Sequence, residues 1–288
     1  MKKVEITYLL SSAIFLICSF NGCIEPYDAV FDDFESALVI EATLTNEPKR
    51  QQVVLSKTYE FEADGPTAEV NATVRVLEGQ GTSYDFVHSG NGIYLSSEVF
   101  AAQAGVDYQL EVTTQDGRNY ASEVTRLTPT ATIDEVKAAR ITNDMGEDGM
   151  AILVDSFDPT GNAKNYRYEY EETYKVIAPN WSFISLTGDP DGGCGVIEIP
   201  NTTGERVCYP INFSNRIILT STESLREDRV SDFMVRFIRR DNYIISRRYS
   251  ILVRQFVQSN AAYTFFETLS ELSGSESLFS QTQPGFLQ

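Results

Sequence analysis

The sequence predicts a mainly β protein, with an N-terminal immunoglobulin- or prealbumin-like β-sandwich followed by a β-rich second domain that carries one C-terminal α-helix. Three observations predict this class. Short segments of alternating apolar and polar residues recur about every 8–12 residues, as is typical of β-sandwiches. Turn-forming residues separate these segments, and apolar residues at helical spacing occur only near the end of the chain. The 288 residues are 42% hydrophobic and 22% charged, a balance typical of globular proteins.

The predicted β-sandwich domain covers residues 37–128. In "AEVNATVRVLEG" apolar side chains alternate with polar ones from Val70 to Val76, which predicts a strand with one buried face. The "QDGR" segment at residues 115–118 separates two alternating segments and predicts a hairpin turn. The other predicted strands lie in "ALVIEATLT", "QQVVLSKTYEF", "TSYDFVHSG", "GIYLSSEVF", "DYQLEVTTQDG" and "NYASEVTRL".

The predicted second domain covers residues 129–288. Pro129 and a cluster of threonines in "LTPTATIDEV" interrupt the strand rhythm and mark the boundary. Strands are predicted in "MAILVDSFDP" and "NYRYEYEETYKV", and "SDFMVRFIRRDNYIISRRYSILVRQFV" predicts a long hairpin that turns at Asp241 and Asn242. A helix ending at Gly274 is predicted by apolar residues at helical spacing, namely Val257, Ala261, Phe265, Leu269 and Leu272.

Residues 1–22 predict a secretory signal peptide. Lys2 and Lys3 precede an apolar segment that is shorter than the about 20 residues a membrane-spanning helix needs. Gly22 is a small residue directly before Cys23, and a cysteine in this position is where bacterial lipoproteins are acylated and cleaved. We therefore expect lipidation of Cys23, with plain secretion as the alternative. Several acyl chains on one cysteine anchor a protein firmly to a membrane.

Residues 23–36 are predicted to form an acidic tether behind the lipidated cysteine. The segment lacks a periodic apolar face, which is typical of a solvated linker. Acidic residues directly after a lipidated cysteine also resemble the surface-export signal of Bacteroidota lipoproteins, and the two interpretations are compatible. The acidic residues of the tether are Glu25, Asp28, Asp32, Asp33 and Glu35.

Two cysteines, Cys194 and Cys208, stay available once Cys23 is acylated and Cys18 is cut away with the signal peptide. Export to an oxidising compartment favours a disulfide between them, closing the loop "CGVIEIPNTTGERVC". A loop of this size stabilises the fold by about 3 kcal/mol in the chain-entropy description. A zinc site is not expected, because His88 is the only imidazole in the sequence.

The composition excludes several classes of function. A net charge of −18 argues against nucleic-acid binding, which needs a basic face, and favours solubility and repulsion between copies. One histidine gives no local support for a catalytic triad, and the chain lacks nucleophile-elbow, P-loop and dinucleotide-binding motifs. We therefore expect no enzyme activity and no cofactor. A carboxylate-based hydrolase of glycans or peptides is the alternative, since acidic residues are abundant.

A weak calcium candidate lies in "DMGEDGMAILVD". Asp144, Asp148 and Asp155 occupy positions 1, 5 and 12 of a calcium-loop template. Position 3 is Gly146, however, and the template calls for a glutamate at position 12. The apolar "MAILV" segment favours a strand that follows a plain turn.

Aromatic residues offer the best candidate for a ligand or partner surface. Tyr166, Tyr168 and Tyr170 alternate along one predicted strand and share one of its faces. They either form an exposed surface or cover a sheet face beneath other elements. Trp181 follows this strand and is either an exposed loop anchor or a residue that packs at a sheet edge.

The chain resembles a Bacteroidota family of outer-membrane lipoproteins, the domain of unknown function 4249. The resemblance begins at Cys23 and continues through "LVIEATLTNEP", where Ala42 replaces the glycine of the family, then "GIYLSS" and "AGVDYQLEVTTQDGRNYASEVTRLTP". It also covers "YSILVRQFVQSNAAYTFFETL". Members of the family continue past "PGF", so the resemblance implies either a short member or a second domain that is incomplete at Gln288.

The resemblance implies a surface accessory of TonB-dependent outer-membrane transporters. We therefore expect a lipid-anchored, surface-exposed outer-membrane protein that acts in binding or assembly and partners such a transporter in nutrient uptake. A purely structural envelope lipoprotein is a further alternative. The resemblance carries over no catalytic residue.

Overall fold

The computed structural model describes residues 36–59, 63–79, 81–190, 192–202, 204 and 206–274. The predicted signal peptide, Cys23 and the tether up to residue 35 lie outside these residues. The described part of the chain is built from antiparallel strands and carries one α-helix near its C-terminal end. The mainly β class with a C-terminal helix is therefore confirmed.

The first nine strands form one antiparallel sheet. Their spatial order is β1-β2-β6-β5-β4-β7-β8, with β3 beside β2 and β9 beside β7. The pairing joins them in one curled sheet and does not by itself establish the predicted immunoglobulin-like sandwich. The strands are β1 (Leu38–Thr43), β2 (Gln52–Lys57), β3 (Thr67–Ala68), β4 (Thr73–Glu78), β5 (Thr82–Gly90), β6 (Ile93–Ser96), β7 (Asp107–Thr113), β8 (Asn119–Ala121) and β9 (Thr125–Arg126).

One face of this sheet curls around a single apolar core. Val74 and Val76 point into it as the alternation in the sequence predicts, but Val70 is exposed. The alternation breaks at Asn71, whose φ of 60° separates β3 from β4. Burial of such side chains is the main favourable term in folding. The core residues are Val53, Leu55, Val74, Val76, Phe86, Tyr94, Phe100, Ala102, Tyr108 and Val112.

The remaining strands form four smaller sheets. The strands β10, β11 and β19 make one sheet, whereas β12 pairs with β17 and β18 along one edge and with β20 along the other. Two further pairs, β13 with β16 and β14 with β15, are two-stranded. The strands are β10 (Ile133–Thr142), β11 (Asp148–Asp158), β12 (Asn165–Tyr174), β13 (Val176–Ile177), β14 (Ile184–Gly188), β15 (Val196–Pro200), β16 (Val207–Cys208), β17 (Ile211–Phe213), β18 (Ile218–Ser221), β19 (Asp228–Arg239) and β20 (Tyr249–Gln258).

A second apolar core lies between the β11 sheet and the β12 sheet. Ile152 and Val154 of β11 and Val235 of β19 pack against Tyr166 and Tyr168 of β12. The predicted hairpin over residues 231–257 is wrong, because β19 pairs with β11 and β20 pairs with β12. A short 3-10 helix, Tyr243–Ile245, carries the chain from one sheet to the other.

The C-terminal helix α1 covers Asn260–Gly274 and packs against β12, β18 and β20. Its face toward the sheet contains Ala262 and Phe266, whereas the predicted apolar stripe through Ala261, Phe265 and Leu269 is exposed. The helix begins after Val257, which belongs to β20. Among the described residues, no helix is both long and apolar enough to span a membrane.

Candidate interaction surface

A two-stranded ribbon extends from the β12 sheet. We call residues 175–210 the apolar ribbon; it comprises β13 and β14 on the outgoing strand and β15 and β16 on the returning one. In every pair of directly opposed residues the two residue numbers average to 192. The pairs run from Val176 with Cys208 near the sheet to Gly188 with Val196 near the tip. The same centre holds for the pairing of β12 with β17, so the ribbon continues the register of its parent sheet without a net insertion.

Other strands do not cover the outer part of the ribbon. Within the described residues β14 and β15 pair only with each other. Ile184, Leu186 and Val196 share one face, and Ile197 and Ile199 lie on the opposite face, because directly paired residues of antiparallel strands share a face. All five side chains are exposed. An isolated two-stranded hairpin is at best marginally stable in water, so a ribbon that is apolar on both faces gains stability from an external cover.

An aromatic pair lies at the base of β14. The Trp181 indole Nε1 donates a hydrogen bond to the Gly204 carbonyl at 2.8 Å, which ties the two sides of the ribbon together. The Trp181 and Phe183 rings meet edge to face with their centroids 4.4 Å apart. Trp181 is half-buried within the ribbon, whereas Phe183 is 76% exposed. Trp181 therefore packs locally and leaves Phe183 as the solvent-facing aromatic, which the sequence did not single out.

Exposed apolar side chains concentrate in this region. The described residues include 22 exposed large apolar side chains, and nine of them lie between residues 183 and 213. Contiguous exposed apolar surface marks interaction sites, and aromatic residues are enriched at protein interfaces. The outer edges of β14 and β15, which pair with no other strand of the described residues, also offer backbone groups for strand addition. The nine residues are Phe183, Ile184, Leu186, Val196, Ile197, Ile199, Tyr209, Ile211 and Phe213.

The predicted tyrosine surface is wrong, and the alternative holds. Tyr166, Tyr168 and Tyr170 are all buried, because their face of β12 packs against the β11 sheet. The Tyr168 hydroxyl donates to Gln255 Oε1 at 2.8 Å. Burial, together with the negative charges of Asp228 and Asp158, raises the pKa of Tyr166 to about 12. These tyrosines therefore build the core and do not meet a ligand at the surface.

A buried carboxylate that the sequence patterns do not predict lies on the same face of β12. Glu172 accepts hydrogen bonds from Arg236 Nε at 3.1 Å, from Arg236 Nη2 at 3.2 Å and from the Tyr249 hydroxyl at 2.8 Å. Burial, followed by the hydrogen bond to Glu172, raises the pKa of Tyr249. The network links β12, β19 and β20. One feature of the sequence points to this network: Glu172 lies on the same face of the alternating strand as Tyr166, Tyr168 and Tyr170.

The predicted disulfide between Cys194 and Cys208 is absent from the structure. Cys194 lies at the tip of the ribbon, whereas Cys208 pairs with Val176 at its base. Strand β15 lies between the two positions and by itself extends over about 16 Å, while a disulfide needs Cα atoms within about 7 Å. The pairing register of the ribbon therefore separates the two thiols.

The calcium candidate is also wrong. Asp148 and Asp155 lie on β11, about 23 Å apart along an extended strand. Asp155 pairs with Lys137 at 2.6 Å, and Asp148 accepts a hydrogen bond from Thr142. Asp144 belongs to the tight turn before the strand, as the alternative interpretation expects. Nowhere in the described ranges do three or more acidic, cysteine or histidine side chains converge in a way that could hold a metal.

Comparisons with known proteins bear on the family alone. Neither the curated proteins nor the solved structures contain a match to this chain. The profile of the family described as a domain of unknown function (DUF4249) matches residues 24–288. Because this match covers nearly the whole sequence, the chain belongs to the DUF4249 family.

Proposed function

We propose that this protein is a lipid-anchored accessory at the outer-membrane surface that binds a partner protein through the apolar ribbon. The partner we propose is a TonB-dependent transporter, which the accessory assists in nutrient uptake. The observation that supports this proposal is the ribbon itself, a two-stranded projection with exposed apolar side chains on both faces and no cover from the described part of the chain.

The ribbon favours a protein partner. Covering both of its faces requires a groove or a pair of surfaces, and the free edges of its strands suit backbone pairing with another polypeptide. Phe183 is 76% exposed and Leu186 is 70% exposed, so both are available as anchors. Exposed aromatic and large aliphatic side chains that enter pockets on a partner contribute most of the binding energy of many interfaces.

The anchor is proposed from the sequence, since Cys23 lies outside the described residues. Acyl chains on Cys23 would hold the protein in the same membrane as a barrel protein. Confinement of both partners to one membrane raises their effective concentration, so a ribbon of modest affinity suffices for stable association. The acidic tether would supply the distance between the membrane and the first sheet.

The test is affinity co-purification from detergent-solubilised outer membranes of the source cells. Three forms of the full chain are compared: the wild type, a ribbon variant with Phe183→Asp and Leu186→Asp, and a control with Val87→Asp and Val124→Asp. The control changes two similarly exposed apolar residues of the first half of the chain. We expect the wild type and the control to recover a barrel protein, and the ribbon variant to lose it.

Two results would contradict the proposal. If the wild type recovered no barrel protein, a transporter would not be the partner. If the ribbon variant recovered as much barrel protein as the wild type, the ribbon would not be the binding surface. The anchor is tested separately by mass spectrometry of the N-terminal peptide. We expect acylated Cys23 at the N-terminus, and release of the Cys23→Ala variant from the membrane.

A further inference from the structure

A cleft of about 320 Å³ lies between the first sheet and helix α1. The first half of the chain contributes Leu44 and Leu127 to its wall, and the second half contributes Val257, Ala262 and Phe266. Apolar clefts between two packed units are common sites for small ligands, and this volume lies at the lower end of the usual range of roughly 300–1,000 Å³. The cleft shares no residue with the apolar ribbon.

One buried cation lines this cleft. Arg167 of β12 is only 9% exposed, and its guanidinium carbon lies 4.6 Å from the centre of the Phe256 ring and 4.7 Å from that of Phe266. Arg167 Nη1 pairs with Glu169. Arg167 Nε is buried, and no residue in the described part of the chain accepts a hydrogen bond from it. A buried donor left without an acceptor is unfavourable, so this position calls for an acceptor.

The charged side chains that line the cleft, Arg126 and Arg167, are both basic. None of the described residues that line it is an aspartate or a glutamate, although the protein as a whole carries a net charge of −18. The other lining cation, Arg126, is already held by Asp107 through two hydrogen bonds of 2.7 and 3.0 Å. Among the described lining residues, Arg167 is therefore the cation with a buried donor that lacks an acceptor.

We propose that the cleft binds a small ligand composed of an apolar chain that ends in a carboxylate. The carboxylate pairs with the Arg167 guanidinium, and the apolar chain lies against Leu127, Val257 and Ala262. Hydrogen bonds between a guanidinium and a carboxylate are stronger than those between neutral groups, and two phenyl rings keep this guanidinium in place. Both a fatty acid and the C-terminus of a short apolar peptide present this chemistry.

The experiment is photolabelling of the full chain with a diazirine-bearing alkyl carboxylate, followed by mass-spectrometric mapping of the labelled peptides. Decanoate, methyl decanoate and the dipeptide acetyl-valyl-leucine serve as competitors. Ala262→Phe fills the cleft while it leaves Arg167 in place. Ala261→Phe is the matched control, since it makes the same change one residue earlier on the exposed face of α1.

We expect the label on peptides that contain Leu127 and on those of α1. Labelling should fall about tenfold in Ala262→Phe, and the Ala261→Phe protein should label like the wild type. Decanoate or the dipeptide should compete, which identifies the source of the carboxylate, and methyl decanoate should compete poorly. The Arg167→Gln variant should bind decanoate and its methyl ester alike.

Three results would overturn the inference. They are label spread evenly over the chain, unchanged labelling in Ala262→Phe, and equal competition by decanoate and its methyl ester in the wild type. A result that refutes ligand binding in the cleft would not affect the proposed function, because the ribbon variant and the cleft variant change different parts of the molecule.

Discussion

Removal of the Glu172 carboxylate should destabilise the second half of the protein strongly. The Glu172→Ala variant takes away the acceptor of two Arg236 hydrogen bonds and one Tyr249 hydrogen bond. The Glu172 side chain is 4% exposed and that of Arg236 is 26% exposed, so the guanidinium left behind is largely shielded from water. Breaking a buried ion pair on one side costs about 3–5 kcal/mol.

We take the lower end of that range, because Arg236 keeps about a quarter of its side chain in water and can recover part of its hydration. A loss of about 3 kcal/mol corresponds to a fall in Tm of roughly 6–12 °C for a domain of this size class. The neighbouring Glu171 gives a matched control. It faces the other side of β12 and lies 3.8 Å from Arg254 in a half-exposed pair, so Glu171→Ala should cost about 0–1 kcal/mol.

The assay is urea and thermal unfolding of the full chain, followed by near-ultraviolet circular dichroism of the buried tyrosines. A double variant with Glu172→Leu and Arg236→Met replaces the pair by apolar side chains and should recover most of the lost stability. The reasoning would be refuted if Glu172→Ala and Glu171→Ala unfolded at the same midpoint. It would also be refuted if the double variant were less stable than Glu172→Ala.

Three further predictions concern backbone packing, acid stability and the cysteines. In Gly149→Ala the new methyl group would lie 2.5 Å from a backbone oxygen of β19, so we expect a loss of about 1–3 kcal/mol in urea unfolding, whereas Gly188→Ala on the open ribbon should unfold like the wild type. Burial alone raises the pKa of Asp158, but hydrogen bonds from a neighbouring hydroxyl and three backbone amides outweigh burial and lower it. This carboxylate therefore stabilises the fold above about pH 4, and that contribution disappears as the pH falls through its lowered folded-state pKa. Asp158→Asn should accordingly be less stable than the wild type at pH 7 and should lose less stability on acidification. Urea unfolding midpoints of both proteins, measured at pH 7 and below about pH 4, would reveal this difference. An equal fall of the two midpoints on acidification would count against this role of Asp158. Peptide mapping without reductant should find no Cys194–Cys208 cross-link, and a major cross-linked peptide would contradict the ribbon register.

The local pattern of the sequence predicts the elements well. Alternation from Thr73 to Glu78 places Val74 and Val76 in the first core, and the "QDGR" segment turns the chain between β7 and β8. Helical spacing near the end finds α1, although the face that packs is rotated by one residue, from Ala261 to Ala262. These features depend on residues close together in the chain, and side-chain period is a local property.

Distant segments of the chain determine which strands pair and which sheet faces become buried. The segments that become β19 and β20 look like one hairpin, yet each strand bonds to a partner about 70 to 93 residues away, because β11 and β12 offer the open edges of two different sheets. The exposed apolar ribbon follows the same rule. Its alternation is that of an ordinary strand, but among the described residues no second layer buries the apolar side chains of either face.

By itself, then, the sequence determined the mainly β class, most of the strands, the terminal helix and the family. Tertiary structure alone decided that the tyrosine row is core, that Phe183 and Leu186 are exposed, and that Arg167 lies buried against two phenyl rings. The physical reason is the range of the interactions. Turn chemistry and periodicity act over a few residues, whereas burial and pairing depend on which distant segment arrives at a given face.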